Sequence, residues 1–215
     1  MGRWAYHGMP DFAHELLHHP GLVAGVDEAG RGPLAGPVVA AAVILRREDC
    51  PEGLNDSKQL SAARRAVLEV EIKARAVCFG IGMASVEEID EINILWATML
   101  AMTRAVDALA HDCAHVLVDG NRCPKWRYAS TAIVEGDAKC LSIAAASILA
   151  KEERDRMMAD YDAHHPGYGW SQNKGYGTPA HLDALARLGP SPLHRRSFAP
   201  IAQYSLFPPE REPVN

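Results

Sequence analysis

Two adjacent carboxylates, Asp27 and Glu28, end one apolar run and are followed at once by Arg31 between two glycines. The run covers residues 21–26, and a second apolar run over residues 38–45 begins after a glycine-proline turn. Acid at a strand end beside a glycine turn can bring main chain and metal ions close to a phosphate. Since strand neighbours point to opposite faces, both acids can serve one site only if the strand ends there and Glu28 lies on the turn. The stretch predicts a phosphodiester substrate.

Asp119 and Asp137 repeat parts of this arrangement. Asp119 closes the apolar run 116–118 and precedes Gly120, and sites in open α/β sheets form beyond strand ends. An ordinary Asp-Gly hairpin turn is the alternative. Asp137 precedes a long predicted helix, which it could cap, or it could face the same cleft.

The four acids together predict a site for hard cations. Mg²⁺ and Mn²⁺ prefer carboxylate oxygens and water. Two such ions, roughly 4 Å apart, can activate a water and stabilise the leaving oxygen of an in-line displacement at phosphorus.

Hydrophobic periodicity predicts the elements that position these acids. Strands are predicted over 22–27, 38–46, 76–84, 115–119 and 130–134. Helices are predicted over 10–19, 61–75, 85–90, 93–111, 138–161 and 178–188, and residues 191–215 should be irregular. We expect the early strands to pair antiparallel and the last two to add in parallel, which gives an α/β layered domain.

Composition suits one globular domain. The 215 residues are 48% hydrophobic and 23% charged, with a net charge of −5. That charge at face value disfavours a nucleic-acid binder, but the acids predicted to hold metal account for most of it. The five cysteines lack C-x-x-C spacing, which disfavours a zinc ribbon or disulfide framework and favours the reducing cytoplasm. No apolar run approaches the roughly 20 residues that span a bilayer, so we expect no membrane association. No feature of the sequence indicates an oligomeric state, and a monomer is the default expectation.

Eight ordered segments across about residues 20–200 resemble the type 2 ribonucleases H, the ribonuclease HII family. They are residues 25–38 (GVDEAGRGPLAGPV), 54–60, 92–102, 118–121, 136–139, 142–151, 174–178 and 194–198. The resemblance implies a ribonuclease H-like fold, a central mixed five-stranded sheet flanked by helices. It further implies a helical lead-in over 1–20, a catalytic domain over 21–163 and a C-terminal helical or irregular extension over 164–215. Trp96 and Gln59 occupy positions at which the family varies.

The resemblance also implies an activity. The family's enzymes degrade the RNA strand of RNA–DNA hybrids and nick on the 5′ side of ribonucleotides embedded in duplex DNA, leaving 3′-hydroxyl and 5′-phosphate ends. Asp27, Glu28, Asp119 and Asp137 would form the catalytic cluster and hold Mn²⁺ or Mg²⁺.

Substrate contacts are implied residue by residue. Gly30-Arg31-Gly32 resembles the motif whose backbone reads the ribose 2′-hydroxyl, and Tyr176 the tyrosine that stacks on the sugar at the RNA–DNA junction. The alternatives are glycines that serve only the turn and an aromatic lid over the core. Further substrate contacts are implied at Ser57, Lys58, Asn93, Ser142, Ser147 and Lys151, where the lysines could instead be solvated surface charges. His194, Arg195 and Arg196 either contact phosphate or pin the tail to the domain.

Two other functions compete with a nuclease. A non-catalytic hybrid-binding module of the same fold would be favoured by loss of an acid, but all four are present. A nucleotide-binding phosphotransferase could use Gly30-Arg31-Gly32 as a phosphate loop, but the chain lacks G-x-x-x-x-G-K-[ST] after a strand.

Overall fold

The computed structural model describes residues 9–206, so the predictions for residues 1–8 and 207–215 lie outside the described part. One sheet of five strands forms the centre, in the order β3-β2-β1-β4-β5. The strands are β1 (Val23–Ala29), β2 (Val38–Ile44), β3 (Cys78–Ala84), β4 (His115–Asp119) and β5 (Ser130–Ile133).

The sheet is mixed, as predicted. β1, β2 and β3 pair antiparallel in succession, whereas β4 joins β1 in parallel and β5 joins β4 in parallel. The alternative of a hairpin at Asp119 is therefore wrong, because a hairpin would make β5 antiparallel to β4. The parallel arrangement brings the carboxyl ends of β1 and β4 to the same edge of the sheet.

Helices flank both faces of this sheet. They are α1 (Ala13–Leu16), α2 (Ala62–Arg75), α3 (Val86–Asp107), α4 (Leu141–His164), α5 (Trp170–Asn173), α6 (Pro179–Leu188) and α7 (Ala199–Leu206). Two predicted starts are confirmed, since the hydroxyls of Ser61 and Thr178 accept the N–H groups of Arg64 and His181 at the first turns of α2 and α6. No helix within residues 9–206 is both long enough and apolar enough to span a bilayer.

Several predicted helix boundaries differ from the structure, among them those of α4, which covers Leu141–His164 and not 138–161. The helix predicted over 10–19 shrinks to α1, because the chain turns after Leu16. The helices predicted over 85–90 and 93–111 join as α3, which breaks at Asn93 (φ 65°, ψ 164°) and ends at Asp107. The tail predicted as irregular from 191 forms α7 over its middle part.

The start of α4 corrects the capping role weighed for Asp137. Gly136–Ala138 form a separate 3₁₀ turn, and Cys140 is the residue that precedes the first turn of α4. Asp137 therefore does not cap the long helix.

Different helices cover the two faces of the sheet near its carboxyl edge. Val26 of β1 and Val118 of β4 pack in the cluster beneath α3. Leu117 of β4 packs with Ile143 at the start of α4, on the other face. Gly25 permits this approach of α4, since a Cβ there would overlap the main chain of Ser142.

Candidate active site

Three carboxylates meet where β1 and β4 end. Asp27, Glu28 and Asp119 each offer an oxygen within 4.8 Å of the other two, and we call these residues the acid cluster. Because Val26 and Val118 face α3, strand alternation directs Asp27 and Asp119 toward α4 and Glu28 toward α3. The cluster therefore assembles from both faces of the sheet at its edge.

This geometry corrects the expectation that Glu28 must lie on the turn. Glu28 lies inside β1, opposite Ala40 of β2. The pairing of β1 with β4, however, stops at Val26 opposite Val118. At an edge the two faces are separated only by the main chain, so the long Glu28 side chain can meet Asp27 around it.

Short hydrogen bonds hold the cluster. Asp27 Oδ1 accepts the Glu28 N–H at 2.6 Å, and Asp119 Oδ1 accepts the Gly136 N–H at 2.7 Å. Glu28 Oε1 lies 3.3 Å from Arg31 Nη1. Gly136 was not among the predicted site residues, although a glycine directly before Asp137 was a signal. A Cβ there would lie 2.6 Å from Ile143 and 3.2 Å from Asp119.

Burial and mutual repulsion raise the pKa of two cluster members. Burial, followed by the charges of Glu28 and Asp119, holds the pKa of Asp27 well above its usual value. Burial also raises the pKa of Glu28, despite the nearby Arg31 guanidinium. The cluster offers buried carboxylate oxygens whose negative charge is not balanced by nearby cations. A hard divalent cation binds such oxygens. The residues present therefore fit a Mg²⁺ or Mn²⁺ ion.

Asp137, the fourth predicted ligand, lies beside the cluster and outside it. Burial, followed by the charges of Asp119 and Asp56, raises its pKa to about 6. Asp137 lines a neighbouring depression together with Asp56 and Gln59. Its charge still raises the pKa of Asp27, so the two sites are electrostatically connected.

A cavity of about 280 Å³ opens at the acid cluster. Its lining unites Asp27 and Glu28 with most of the predicted substrate contacts, namely Gly30, Arg31, Gly32, Ser57, Lys58, Lys151 and Tyr176. Tyr176 is 48% exposed there. Burial alone would lower the pKa of Lys58, but the carboxylates of Asp56 and Asp27 raise it, so this lysine stays charged.

Ser142, Ser147 and Asn93 do not line this cavity. The buried Ser142 hydroxyl donates to Glu15 at 2.6 Å. The buried Ser147 hydroxyl donates to a main-chain carbonyl and accepts the Ser57 N–H at 3.3 Å. These serines are committed to holding α1 and the Ser57 loop, so their expected phosphate contacts are not supported by the structure.

Asn93 shapes α3. Its Oδ1 accepts the N–H groups of Leu95 at 3.0 Å and of Trp96 at 3.3 Å. The side chain thereby caps the segment of α3 that begins after the break at Asn93.

Arg195 was predicted either to contact phosphate or to pin the tail. It is buried behind the glycine-rich turn over residues 30–37. Its guanidinium donates to the carbonyls of Gly30 at 2.6 Å, Arg31 at 3.0 Å, Gly36 at 2.9 Å and Pro37 at 3.2 Å. Arg195 thus pins the C-terminal part of the chain to this turn.

Arg154 of α4 also holds the glycine-rich turn through main-chain carbonyls. It was not among the predicted site residues. It donates to the carbonyls of Pro37 at 3.0 Å, Ala35 at 3.1 Å and Lys174 at 3.0 Å. The signal was its helical spacing to the buried Met158 on the inner stripe of α4.

We call Arg154 and Arg195 the arginine pair. Neither forms an ion pair within residues 9–206. Burial lowers the pKa of Arg154 to about 10 and that of Arg195 to about 9. Gly30 (φ 98°) lies directly on Arg154, and a Cβ there would overlap the guanidinium. The glycine is therefore needed for packing as well as for its backbone angle.

The neighbours of Arg195 also hold the tail. His194 is buried with its Nε2 3.1 Å from His181 Nε2. The Arg196 main-chain N–H donates to Asp90 at 2.9 Å. The structure thus places His194 and Arg195 in the role of pinning the tail.

The chain is similar to known proteins over most of its length. The family model described as Ribonuclease HII matches residues 24–201. The chain is 71% identical over 199 residues to Ribonuclease HII of Rhizorhabdus wittichii, covering 93% of this chain and 98% of that protein. It is 59% identical to Ribonuclease HII of Paramagnetospirillum magneticum, over 93% of this chain and all of that protein (100%). Among solved structures, ribonuclease H2 of Pyrococcus horikoshii OT3 superimposes with a TM-score of 0.71 at 26% identity, covering 85% and 96% of the two chains.

Proposed function

Since this chain belongs to the ribonuclease HII family and is a ribonuclease H acting on RNA–DNA hybrids, we propose that it hydrolyses the phosphodiester at the acid cluster with a divalent cation, Mg²⁺ or Mn²⁺. We further propose that it nicks on the 5′ side of a ribonucleotide, embedded ones included, and leaves 3′-hydroxyl and 5′-phosphate ends.

The acid cluster carries this proposal. Asp27, Glu28 and Asp119 meet within 4.8 Å beside a cavity lined by cations and an exposed tyrosine. We propose these three as the metal ligands, with Asp137 joining from its neighbouring depression. Bound there, a divalent cation would lower the pKa of an attacking water and stabilise the charge that develops at phosphorus.

The arginine pair supports a 2′-hydroxyl reader at Gly30-Arg31-Gly32. Arg195 binds the carbonyls of Gly30 and Arg31, and in a trans peptide the following N–H points the opposite way. The N–H groups of Arg31 and Gly32 are therefore turned away from Arg195, and within residues 9–206 neither donates to another group. Two fixed, unused donors beside the acid cluster can bind a 2′-hydroxyl oxygen, which distinguishes RNA from DNA.

The remaining cavity residues suit the flanking backbone. Lys58 stays charged next to the acid cluster, which suits a phosphate contact. Lys151 lies 2.6 Å from Asp155 and would exchange that partner for phosphate. Tyr176 presents its ring at the cavity mouth, where it would stack on the sugar at the junction.

The nick position on a duplex with one ribonucleotide, measured separately in Mg²⁺ and Mn²⁺, tests the proposal. We expect one product with a 3′-hydroxyl end, cut 5′ to the ribonucleotide, and no cleavage of an all-DNA duplex. Chelation should abolish the product. Binding without any cleavage would support a hybrid-binding module instead.

A further inference from the structure

An exposed aromatic ring under a lysine lies outside the catalytic cavity. Trp96 of α3 is 41% exposed, and Lys125 Nζ lies 5.9 Å from the centroid of its ring. Neither residue belongs to the acid cluster or lines its cavity. We call them the Trp96–Lys125 pair.

The fold places this pair at the same edge of the sheet as the acid cluster. Gly80 of β3 lies against Ala105 and Gly82 against Ala101, so α3 runs away from the end of β3. Trp96 precedes Ala101 by more than a turn and thus lies toward that end. The end of β3 is beside the start of β2, whose residue Val39 pairs with Ala29 at the end of β1.

Both members are held in place. The side chain of Asn93 caps the helix segment that carries Trp96. Lys125 follows the buried Pro124, and Trp126 donates from Nε1 to Ser130 at 2.9 Å. The main chain that carries both residues is thus fixed before binding, which lowers the entropic cost of a contact.

The charge around the ring favours an anionic partner. Residues 120–128 contain Arg122, Lys125 and Arg127 and no acid. Arg127 lies 3.7 Å from Asp107, but Arg122 and Lys125 form no ion pair in the described part of the chain. Unpaired cations beside an exposed aromatic face suit a sugar–phosphate backbone.

We propose that the Trp96–Lys125 pair contacts the backbone of the bound duplex outside the catalytic cavity, with the ring against a sugar or base and the lysine on a phosphate. This inference rests on the proposed function, because it assumes that a duplex lies across the acid cluster. Tyr176 would contact the duplex from the α4 side and Trp96 from the α3 side, so the two would hold it on both faces of the sheet edge.

Binding and turnover of two variants test the pair. Trp96→Ala should raise both the KM for a ribonucleotide-containing duplex and the Kd for an all-DNA duplex about tenfold, with kcat within about twofold of wild type. Trp96→Phe should recover most of the loss, because it retains an aromatic face. Lys125→Met should reduce the slope of log K against log salt by about 0.9, the value for one phosphate contact.

Lys73→Met is the matched control. Lys73 Nζ also lies 5.9 Å from a ring centroid, that of Phe79, but Phe79 lies at the opposite end of β3. This variant should leave KM, Kd and the salt slope unchanged.

Anisotropy with all-DNA duplex requires no cleavage, so it tests the pair separately from the proposed function. If the wild-type protein binds duplex but never nicks it, the proposed nuclease function is contradicted. The effects of Trp96→Ala and Lys125→Met on Kd and salt slope would still test the Trp96–Lys125 pair. Unchanged Kd and salt slope in both variants would overturn the inference, as would a loss in kcat alone.

Discussion

The acid cluster and the arginine pair are two sets of buried like charges on either side of one glycine-rich turn, and they are compensated differently. The charges of Arg154 and Arg195 are stabilised inside the chain by hydrogen bonds to main-chain carbonyls of residues 30–37. Within residues 9–206, Glu28 has one cation, Arg31, within 4.0 Å and Asp27 has none, and the pKa values of both acids are raised. A buried charge without an internal partner is costly unless an external one arrives. The arginine pair is therefore built for structure, and the acid cluster for a bound cation.

Asp119→Asn should produce the largest effect and should separate activity from stability. An amide is a poorer ligand for a hard cation and removes a charge, so we expect kcat/KM to fall by about 10³ or more. The free energy of unfolding of the metal-free protein should stay equal or rise, because repulsion is relieved. Rates and chemical denaturation measure the two quantities, and Asp183→Asn, at an exposed site on α6, is the control. A parallel loss of stability would place the acid cluster among the structural elements.

Arg195→Met should reverse that pattern. It leaves the carbonyls of Gly30, Arg31 and Gly36 without their donor, whereas Pro37 keeps Arg154, and we expect the free energy of unfolding to fall by about 3 kcal/mol. Urea denaturation measures the loss, and Arg187→Met, at an exposed site on α6, should change it by less than about 0.5 kcal/mol. A loss for Arg195→Met as small as the control's would mean that the arginine pair does not hold the turn.

Added cation should stabilise the protein only through the acid cluster. At a Mg²⁺ or Mn²⁺ concentration of about 100 times Kd, unfolding should cost about 2.7 kcal/mol more. Thermal denaturation with and without metal should show this shift in wild type and Asp183→Asn and lose it in Asp27→Asn. An equal shift in Asp27→Asn would place the cation elsewhere.

The buried His194, next to Arg195, should make the free energy of unfolding fall at acid pH. Burial, followed by the charge of His181, lowers the pKa of His194 to about 4 from an ordinary 6.5. The unfolded chain then binds the proton first, so stability is complete above pH 6.5 and falls as the pH drops toward 4. The loss between pH 7 and pH 5 should be about 2 kcal/mol. His194→Gln should flatten this slope, whereas exposed His111→Gln should not; parallel curves for wild type and His194→Gln would contradict the assignment.

Asp137 should give the smallest effect, of opposite sign. Its pKa is raised to about 6 from 3.8, chiefly by burial, so its cost to the metal-free fold is absent well below pH 3.8, grows between pH 3.8 and 6, and is complete above pH 6. Because Asp137 is only half-buried, Asp137→Asn should stabilise the metal-free protein by about 1 kcal/mol at pH 7 and by about a fifth of that at pH 4. A gain at pH 4 as large as that at pH 7 would indicate a packing effect and not a charge effect.

Local sequence predicted much of the fold and the core of the site. Alternating and apolar runs predicted all five strands, and Ser61 and Thr178 predicted two helix starts, because those signals depend on near neighbours. The acids before Gly30 and Gly120 marked the edge of the sheet for the same reason. The resemblance to the ribonuclease HII family came from short motifs and is confirmed by the family match.

Only the tertiary structure decided how those residues are used. Glu28 joins Asp27 from the opposite face because pairing with β4 ends at Val26, which no local pattern reveals. The sequence left Arg195 between two roles and did not single out Arg154, because the carbonyls that make their burial possible are distant in the chain. Sequence determined which groups the chain carries at its strand ends, and long-range packing decided which of their charges are compensated within the protein and which are left for a ligand.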